Sequence, residues 1–312
     1  MRVVRHLPAP SMPDAAGRPR RLAVAIGNFD GLHLGHQALI RRAVDAVPAM
    51  SPAVLCFEPL PRTFFAPANP VPRVMKLRDR ADTCARLGVE LLAQLRFDRT
   101  FSRQSPEQFA RNVLADGLRT GRVVVGADFR FGHRAAGDVA ALEDFGRRFG
   151  FDVEIVPEVL DADGERVSSS RLRQALADGE LALAGRLLGR PYAISGRVVR
   201  GNRLGRTLGF PTANLRVAEP PALSGIAAVR VTGDGLERHP GVASLGRRPV
   251  IAGRDWLLEV HLFDFDGDLY GRHLKVEFVE HLRPERHFGS LEAMTGQMRR
   301  DAERAKAVLG NL

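Results

Sequence analysis

The pattern of apolar and polar positions changes character near residue 188. Before that point, short apolar runs alternate with stretches in which apolar residues recur at helical spacing. The alternation predicts a parallel sheet covered by helices on both faces, with sites at the carboxyl ends of the strands. The predicted strands span residues 22–27, 53–57, 91–97, 122–126 and 151–157. The predicted helices span residues 35–47, 78–87, 106–114 and 139–149.

Beyond a last helix at residues 181–188, the sequence Gly-Arg-Pro marks a helix stop and a linker. The runs that follow are short, alternating and split by Gly, Asp and Pro, which is typical of antiparallel strands. They predict a small β-barrel that is closed by a C-terminal helix over residues 291–309. We therefore predict two domains, residues 1–186 and 187–312. The predicted barrel strands span residues 192–199, 226–231, 242–245, 257–263 and 274–279.

Composition fits a folded protein, because 45% of the 312 residues are hydrophobic and 26% are charged. No apolar run is long enough to cross a bilayer, and the first twenty residues have no signal-peptide core. We therefore expect a cytoplasmic protein without a membrane partner. Cys56 and Cys84 stand alone among apolar residues, so we expect small core residues and neither a disulfide nor a zinc site.

The net charge of +10 raises the question of a nucleic-acid partner. The basic residues are almost all arginines scattered along the chain, and lysine occurs only at Lys76, Lys275 and Lys306. No dense basic block with neighbouring aromatics appears, and an anionic small-molecule substrate accounts for part of the surplus. We expect no nucleic-acid partner.

A glycine-rich segment, Ile-Gly-Asn-Phe-Asp-Gly-Leu-His-Leu-Gly-His, joins the first predicted strand to the first predicted helix. Gly27, Gly31 and Gly35 let the backbone approach a ligand closely. His33 and His36 fall where a helix start exposes N–H groups and its positive dipole end. Two imidazoles there can donate to phosphate oxygens as charge builds at an attacked phosphorus. The alternatives are a turn histidine beside a surface histidine, or a metal pair, for which no third ligand is evident.

Two further segments follow strands of the same predicted sheet. Residues 167–173 read Val-Ser-Ser-Ser-Arg-Leu-Arg, and the serines would cap a helix over residues 172–177 and hold a polyphosphate with an arginine. Residues 125–132 read Val-Gly-Ala-Asp-Phe-Arg-Phe-Gly and could form a wall for a flat ring. The structural alternatives are a plain serine cap with solvated arginines and a turn that packs two phenylalanines into the core.

In the second module, residues 201–214 form a glycine-rich basic run that ends in Pro-Thr-Ala-Asn. Glycines with arginines can close over phosphates, and a Thr hydroxyl beside an Asn can hold Mg²⁺. A glycine-rich hairpin of a β-domain is the alternative.

These segments, in this order, resemble the prokaryotic bifunctional riboflavin kinase/FAD synthetase family. That family carries G-x-F-D-G-x-H-x-G-H, V-G-x-D-F-R-F-G and I-S-S-T-x-I-R, which match residues 27–36, 125–132 and 167–173. Its kinase motif G-x-x-x-G-R-x-L-G-F-P-T-A-N matches residues 201–214. The resemblance covers nearly the whole chain. It implies an α/β fold class, with a Rossmann-like HxGH nucleotidylyltransferase domain followed by an antiparallel β-barrel kinase domain with a C-terminal helix.

The resemblance implies that the first domain is an FMN adenylyltransferase. The FMN phosphate would attack the α-phosphorus of Mg-ATP and release pyrophosphate, without a covalent enzyme intermediate. His33, His36 and Arg173 would be catalytic, and Asp128 and Phe129 would line the pocket on its flavin side. The nucleotide would contact Gly27, Asn28, Phe29, Asp30, Ser169 and Ser170.

The resemblance also implies that the second domain is a riboflavin kinase. Glu259 would be the general base that takes the proton of the riboflavin 5′-hydroxyl. Thr212 and Asn214 would bind Mg²⁺, and Arg283 would face the flavin or a phosphate. The nucleotide would contact Gly201, Gly205 and Arg206.

The chain departs from the family pattern at several positions. Ser170 replaces a threonine and keeps its hydroxyl, whereas Leu60 stands where histidine is common. In the second domain, Ala227 replaces an aromatic residue, and Ser244 and Val250 replace Asn and Thr. We expect Leu60 to affect the flavin side of the first site. We expect Ala227 to leave less wall against the nucleotide of the second site.

The leading prediction is one multifunctional transferase, a flavoprotein enzyme that makes FMN from riboflavin and then FAD from FMN. ATP would be the co-substrate and Mg²⁺ the cofactor. One alternative keeps the adenylyltransferase and has a weak or inactive kinase. Another is an HxGH enzyme for a pantetheine or nicotinate nucleotide, although such enzymes do not usually carry the Pro-Thr-Ala-Asn module. A third is a basic RNA-binding protein on a retired enzyme scaffold. A homo-oligomer is compatible with the sequence.

Overall fold

A computed structural model describes residues 1–14, 16–200, 210–250 and 253–310, without the side chains of residues 248–250 and 253–255. The chain forms two compact units. The first contains residues 1–71 and 77–168, and the second contains residues 72–76 and 169–312. The domain boundary predicted between residues 186 and 187 stays a prediction.

The first unit is built on a six-stranded sheet in the order β1-β6-β5-β4-β7-β8, in which every pair is parallel. This confirms the parallel sheet. Strand β4 is buried along its whole length, and the chain turns to opposite sides of it to form β5 and β7. The loop after β4 therefore leaves the sheet at a topological switch point, where α/β sheets bind ligands. The strands are β1 Arg2–Val4, the hairpin β2 Met12–Pro13 and β3 Pro19–Arg20, β4 Leu22–Ile26, β5 Ser51–Glu58, β6 Leu91–Arg96, β7 Thr120–Gly126 and β8 Asp152–Val156.

The helices of this unit follow the predicted ones closely. Helix α5 shows why, because the Asp138 side chain caps its start and the left-handed Gly150 ends it. Strand β1 and the short helix α2 were not predicted from the sequence. The helices are α1 Leu34–Val44, α2 Pro61–Phe65, α3 Leu77–Arg86, α4 Pro106–Gln108 with its π-helical continuation Phe109–Gly117, and α5 Val139–Phe149.

The second unit holds two helices, a closed six-stranded antiparallel barrel and a final helix. The barrel order is β10-β13-β12-β11-β14-β9, which confirms the predicted barrel. Ala305 and Leu309 of the final helix pack on the barrel residues Ala228, Phe263 and Leu282. The elements are α6 Ser169–Ala177, α7 Leu181–Leu188, β9 Ala193–Val199, β10 Ala213–Val217, β11 Gly225–Gly233, β12 Leu236–Val250, β13 Gly253–Leu262, β14 His273–Arg283 and α8 Leu291–Gly310.

A short piece of the N-terminal sequence, residues 72–76, belongs to the barrel unit. Lys76 Nζ donates to the carbonyl oxygens of Ser195 and Arg216 at 2.8 and 2.9 Å. Arg73 forms an ion pair with Glu219 at 3.1 Å. These contacts hold the segment against the barrel, and no pattern in the sequence predicts them.

Among the residues that the structure describes, no helix is both long and apolar enough to cross a membrane.

Candidate active sites

The loop after β4 is a buried, conformationally constrained structure. Phe29 and Leu32 have φ of 48° and 50°, a region that bulky residues rarely adopt, and Gly31 has φ of 95°. Phe29, Leu32 and the Asp30 side chain are all completely buried. Such backbone conformations persist only where the surroundings determine them, and they concentrate at functional sites.

The two motif histidines lie together at the start of α1. His33 is the N-cap residue and is 6% exposed, and its Nδ1 accepts a hydrogen bond from the His36 N–H at 3.3 Å. The two rings stack with centroids 3.7 Å apart. His36 also contacts the Phe29 ring, at 5.1 Å between centroids. The structure thus brings both imidazoles to a helix N-terminus, where backbone N–H groups favour anions.

Gly35 permits this close packing. A Cβ at this position would lie 3.2 Å from the His33 ring and 3.5 Å from the Val167 carbonyl oxygen. Val167 therefore lies beside the loop, and it precedes Ser168 at the end of the first unit. The first and third motif segments meet at this point within the unit.

An aromatic cluster extends from the ends of β5 and β6. Neighbouring ring centroids lie 5.2 to 6.4 Å apart, which is the usual range for interacting aromatic pairs. The Phe65 ring at one end is 67% exposed. The sequence indicated only Phe129 and Phe131 of this cluster, although a content of 17 Phe against 2 Tyr is itself a sign of clustered phenylalanines. Its members are Phe57, Phe64, Phe65, Phe97, Phe101, Phe109, Phe129 and Phe131.

Asp128 and Phe129 take different environments. Phe129 is half-buried and stacks on Phe131, with centroids 5.6 Å apart. Asp128 is exposed and pairs with Arg166, which also pairs with Glu158 at 2.9 Å. The hydrogen bond to Asp128 raises the pKa of Arg166. Leu60 directly precedes α2 and is 3% exposed, so it is an apolar core position.

The serine-rich segment forms the first turn of α6 in the second unit. The helix begins at Ser169, three residues before the predicted start at residue 172. Ser169 and Ser170 therefore lie inside the first turn, and the prediction that they precede the helix was wrong. Arg173 donates to the carbonyl oxygens of Pro72 and Ser169 at 2.9 and 3.3 Å, which orders its guanidinium.

Residues from different barrel strands meet on one rung. In the strand register, Asn214 of β10 pairs with Glu259 of β13, which pairs with Ser244 of β12. Side chains of directly opposed residues share one face of a sheet. The neighbouring positions Leu215, Leu245 and Leu258 are fully buried, so the rung of Asn214, Glu259 and Ser244 faces away from the barrel interior.

A cavity of about 610 Å³ is lined by Asn214 of this rung and by Val260 and Leu262, which lie on the face of β13 opposite to Glu259. Asn214 is 6% exposed, and its Nδ2 donates to the Thr212 carbonyl oxygen at 3.3 Å. Phe265 and Tyr270 supply aromatic walls, and the Arg200 guanidinium lies over the Tyr270 ring at 5.7 Å. The cavity lining also includes Val198, Pro211, Ala213, Val260, Leu262, Asp266, Gly267, Asp268 and Leu269.

The structure gives Ala227 and Arg283 neighbours that the sequence did not indicate. Ala227 is 1% exposed and pairs with Ala243 inside the barrel, and the expectation that it leaves less wall against the nucleotide stays a prediction. Arg283 makes hydrogen bonds of 2.7 to 3.1 Å to both carboxylate oxygens of Asp301 on α8. Its guanidinium also lies 5.8 Å from the Phe288 ring centroid. Gly201, Gly205, Arg206 and the Val250 side chain lie outside the described residues.

Comparisons with known proteins find matches to both halves of the chain. The family model of FAD synthetase matches residues 16–171, and that of riboflavin kinase matches residues 188–309. The chain is 42% identical over 288 residues to the bifunctional riboflavin kinase/FMN adenylyltransferase of Haemophilus influenzae, covering 91% of this chain and 93% of that one. It is 42% identical to the protein of the same name from Escherichia coli K12, covering 92% of each.

A solved structure also resembles the chain. It has a TM-score of 0.74 and 31% identity, and the match covers 93% of this chain and 95% of that one. Its title describes a macrolide-efflux protein from Streptococcus pneumoniae. The two family models and the curated relatives name both enzymatic steps over the same length of chain. The protein therefore belongs to the bifunctional riboflavin kinase/FMN adenylyltransferase family, whose members use ATP to convert riboflavin into FMN and FMN into FAD.

Proposed function

We propose that His33 and His36 are the groups that stabilise charge during adenylyl transfer. An FMN phosphate oxygen attacks the α-phosphorus of ATP, and the bond to pyrophosphate breaks as the new P–O bond forms. The stacked imidazoles and the N–H groups of the α1 N-terminus donate to the α-phosphate oxygens as negative charge builds. The close contact of His33, His36 and Gly35 supports this assignment, because it holds both rings in place before substrate binds.

We assign phosphate binding to Ser169, Ser170 and Arg173. The start of α6 presents N–H groups and two hydroxyls, and Arg173 is ordered by two carbonyl contacts. Gly27, Asn28, Phe29 and Asp30 shape the nucleotide pocket through the conformation of the loop. For the flavin, the phenylalanine cluster, which includes Phe129, offers flat apolar surface at its exposed residue Phe65.

In the barrel, the proposed base is Glu259. It takes the proton of the riboflavin 5′-hydroxyl, whose oxygen then attacks the γ-phosphorus of ATP and displaces ADP. Support comes from the strand register, in which Glu259 is directly opposite Asn214, a residue that lines the cavity. Arg283 acts on the flavin side by fixing α8 to β14 through Asp301, in addition to any direct contact.

The residues at the cavity fit Mg²⁺, which prefers oxygen ligands and is bound largely by substrate phosphates and water. The Asn214 amide nitrogen donates to the Thr212 carbonyl oxygen, so Asn214 Oδ1 and the Thr212 hydroxyl would be the protein ligands of the ion. When bound, the ion neutralises charge on the phosphates. We propose Mg²⁺ for both reactions.

The cytoplasm is the proposed compartment. Cys56 and Cys84, the two cysteines of the chain, form no disulfide, as is usual in reducing compartments, and fractionation of the source cells checks the proposal. A homo-oligomer also stays a prediction, which sedimentation velocity tests.

The direct test is to incubate the purified protein with riboflavin and ATP, and separately with FMN and ATP, with Mg²⁺ or with a chelator. We expect FMN and FAD in the first tube, FAD in the second, and neither product with the chelator. FAD in the second tube without any product in the first would show that the kinase is inactive. Products that form in the presence of the chelator would show that the reactions do not need Mg²⁺.

A further inference from the structure

His261 on β13 binds the backbone of the segment that precedes β10. It lies two residues after Glu259, so the two side chains are on the same face of the strand. Its Nδ1 lies 2.9 Å from the carbonyl oxygen of Pro211. Because a carbonyl oxygen only accepts hydrogen bonds, Nδ1 carries a proton and is the donor. The imidazole of His261 therefore restrains the Pro211 carbonyl.

The accepting carbonyl belongs to the turn of residues 210–214. Strand β10 begins at Ala213, where its ladder with β13 also begins, so Pro211 and Thr212 come before the ladder. Residues 211–214 all line the cavity, and Thr212 and Asn214 are the proposed ligands of Mg²⁺. The hydrogen bond from His261 therefore acts one residue away from the Thr212 hydroxyl.

Two phenylalanine rings flank the His261 ring. The Phe210 ring meets it edge-on from the turn, with centroids 5.1 Å apart. The Phe263 ring also meets it edge-on, at 5.8 Å. Phe263 is 4% exposed and belongs to the core cluster that contains Ala305 and Leu309 of α8. His261 thus connects the turn to the packed core between the barrel and α8.

The backbone of His261 is closely packed against β12. It pairs with Val242, and a Cβ at Gly241 would lie 2.5 Å from the His261 carbonyl oxygen. Real Cβ atoms do not approach an oxygen so closely, so this contact requires glycine. The donor therefore stands on a strand that the barrel holds in place.

We propose that His261 is a positioning residue for the kinase reaction, which holds the Pro211 carbonyl and so fixes the turn that carries Thr212 and Asn214. The inference rests on the kinase assignment and deepens it. In this role His261 contacts neither substrate nor metal and transfers no proton. Glu259 remains the proposed base on the same strand.

The test compares full-length His261→Ala, His261→Asn and His261→Gln. The amide nitrogen of Asn is bonded to Cγ, as Nδ1 is in histidine, whereas that of Gln is one bond farther from the backbone. The last two variants are therefore matched, because they carry the same amide and only Asn places its donor where Nδ1 stands.

We expect His261→Ala to lower kcat/KM for Mg-ATP in FMN formation about 10- to 100-fold, the range known for residues that support metal ligands. The KM for Mg-ATP should rise while the KM for riboflavin stays unchanged, because the displaced turn is the part that binds the metal and the nucleotide. His261→Asn should restore most of the loss, and His261→Gln should not.

Hydrogen exchange followed by mass spectrometry tests the position of the turn without any turnover. Amides of residues 210–214 should exchange faster in His261→Ala and His261→Gln than in the wild type and His261→Asn. If His261→Ala folds poorly, the matched Asn and Gln variants decide the question by the same two measurements.

A loss of FMN formation by His261→Ala that reflects only a smaller folded fraction, with both KM values unchanged, would overturn the proposal. So would equal behaviour of His261→Asn and His261→Gln, because the position of the donor would then not matter. FAD formation from FMN by the same preparations should stay unchanged, since it is assigned to the first unit. Absence of FMN formation by the wild type would refute the kinase assignment itself.

Discussion

The two units build their sites in different ways. In the first, one continuous segment of ten residues forms a buried loop whose backbone conformation places two histidines at a helix start. In the second, Asn214, Ser244 and Glu259 come from three strands and meet only through the register of the barrel. The first site therefore depends on a local backbone conformation, and the second depends on strand pairing. Each should fail by its own kind of substitution.

The largest effect should come from Glu259→Gln in the barrel. Loss of a general base lowers the rate by about 10² to 10⁴. We expect FMN formation to fall by that factor while FAD formation from FMN stays unchanged, as measured by chromatography of the flavins. Glu237→Gln, an exposed glutamate on β12, is the control. Normal FMN formation by Glu259→Gln would remove this residue from its role.

His36→Ala should give the reciprocal result. Removal of one donor to a developing oxyanion costs about 10² to 10³ in kcat. FAD formation from FMN should fall by that factor, with FMN formation unaffected and His6→Ala, at an exposed position, behaving as wild type. A loss of both activities would indicate a folding defect in place of a catalytic one.

Gly35→Ala separates backbone packing from chemistry. The added methyl would lie 3.2 Å from the His33 ring, so the ring must move by a few tenths of an ångström. A shift of about 1 Å in a reacting group can cost as much as 10²-fold, and we expect a smaller loss of FAD formation here. Gly185→Ala, with no atom closer than 3.8 Å, should change nothing. Full activity of Gly35→Ala would show that the loop tolerates repositioning.

Lys76→Met tests the segment that the N-terminal sequence contributes to the barrel. Its ammonium group donates to two carbonyl oxygens, and hydrogen bonds of charged groups contribute about 1.5–3 kcal/mol. We expect urea unfolding followed by Trp256 fluorescence, which reports on the barrel, to shift to lower denaturant by a comparable free energy. An unshifted transition would mean that water replaces these contacts at no cost.

A smaller effect is expected on the free energy of unfolding at alkaline pH, through the Cys84 thiol in the first unit. Burial raises the pKa of Cys84 from 9.0 to about 12, with a further contribution from Cys56. The unfolded chain releases this proton first, so the free energy of unfolding should fall as pH rises above 9 and stop falling near 12. Between pH 8 and 10, denaturant titrations of Cys84→Ala should show a shallower decline than the wild type. Equal slopes would place the thiol in a wetter site.

The sequence predicts the first site better than the second because the information is contiguous. Residues 26–36 show the strand end, the glycines and both histidines in one run, and the structure places them together. The rung of Asn214, Ser244 and Glu259 needs knowledge of strand register, which short alternating runs do not specify. Strand β10 was missed because its first residues, Ala213 and Asn214, end the glycine-rich run of residues 201–214. The burial of Arg80 on α3 was also missed, because arginine side chains are ordinarily solvated.

The central claim is that two separable sites carry out the two steps. The most direct measurement mixes the His36→Ala and Glu259→Gln proteins with riboflavin, ATP and Mg²⁺ and follows FAD over time. Neither variant by itself should make FAD from riboflavin. The mixture should, because the FMN that the His36→Ala protein releases is a substrate for the Glu259→Gln protein. Absence of FAD from the mixture, with each half-reaction intact in its own protein, would contradict the account.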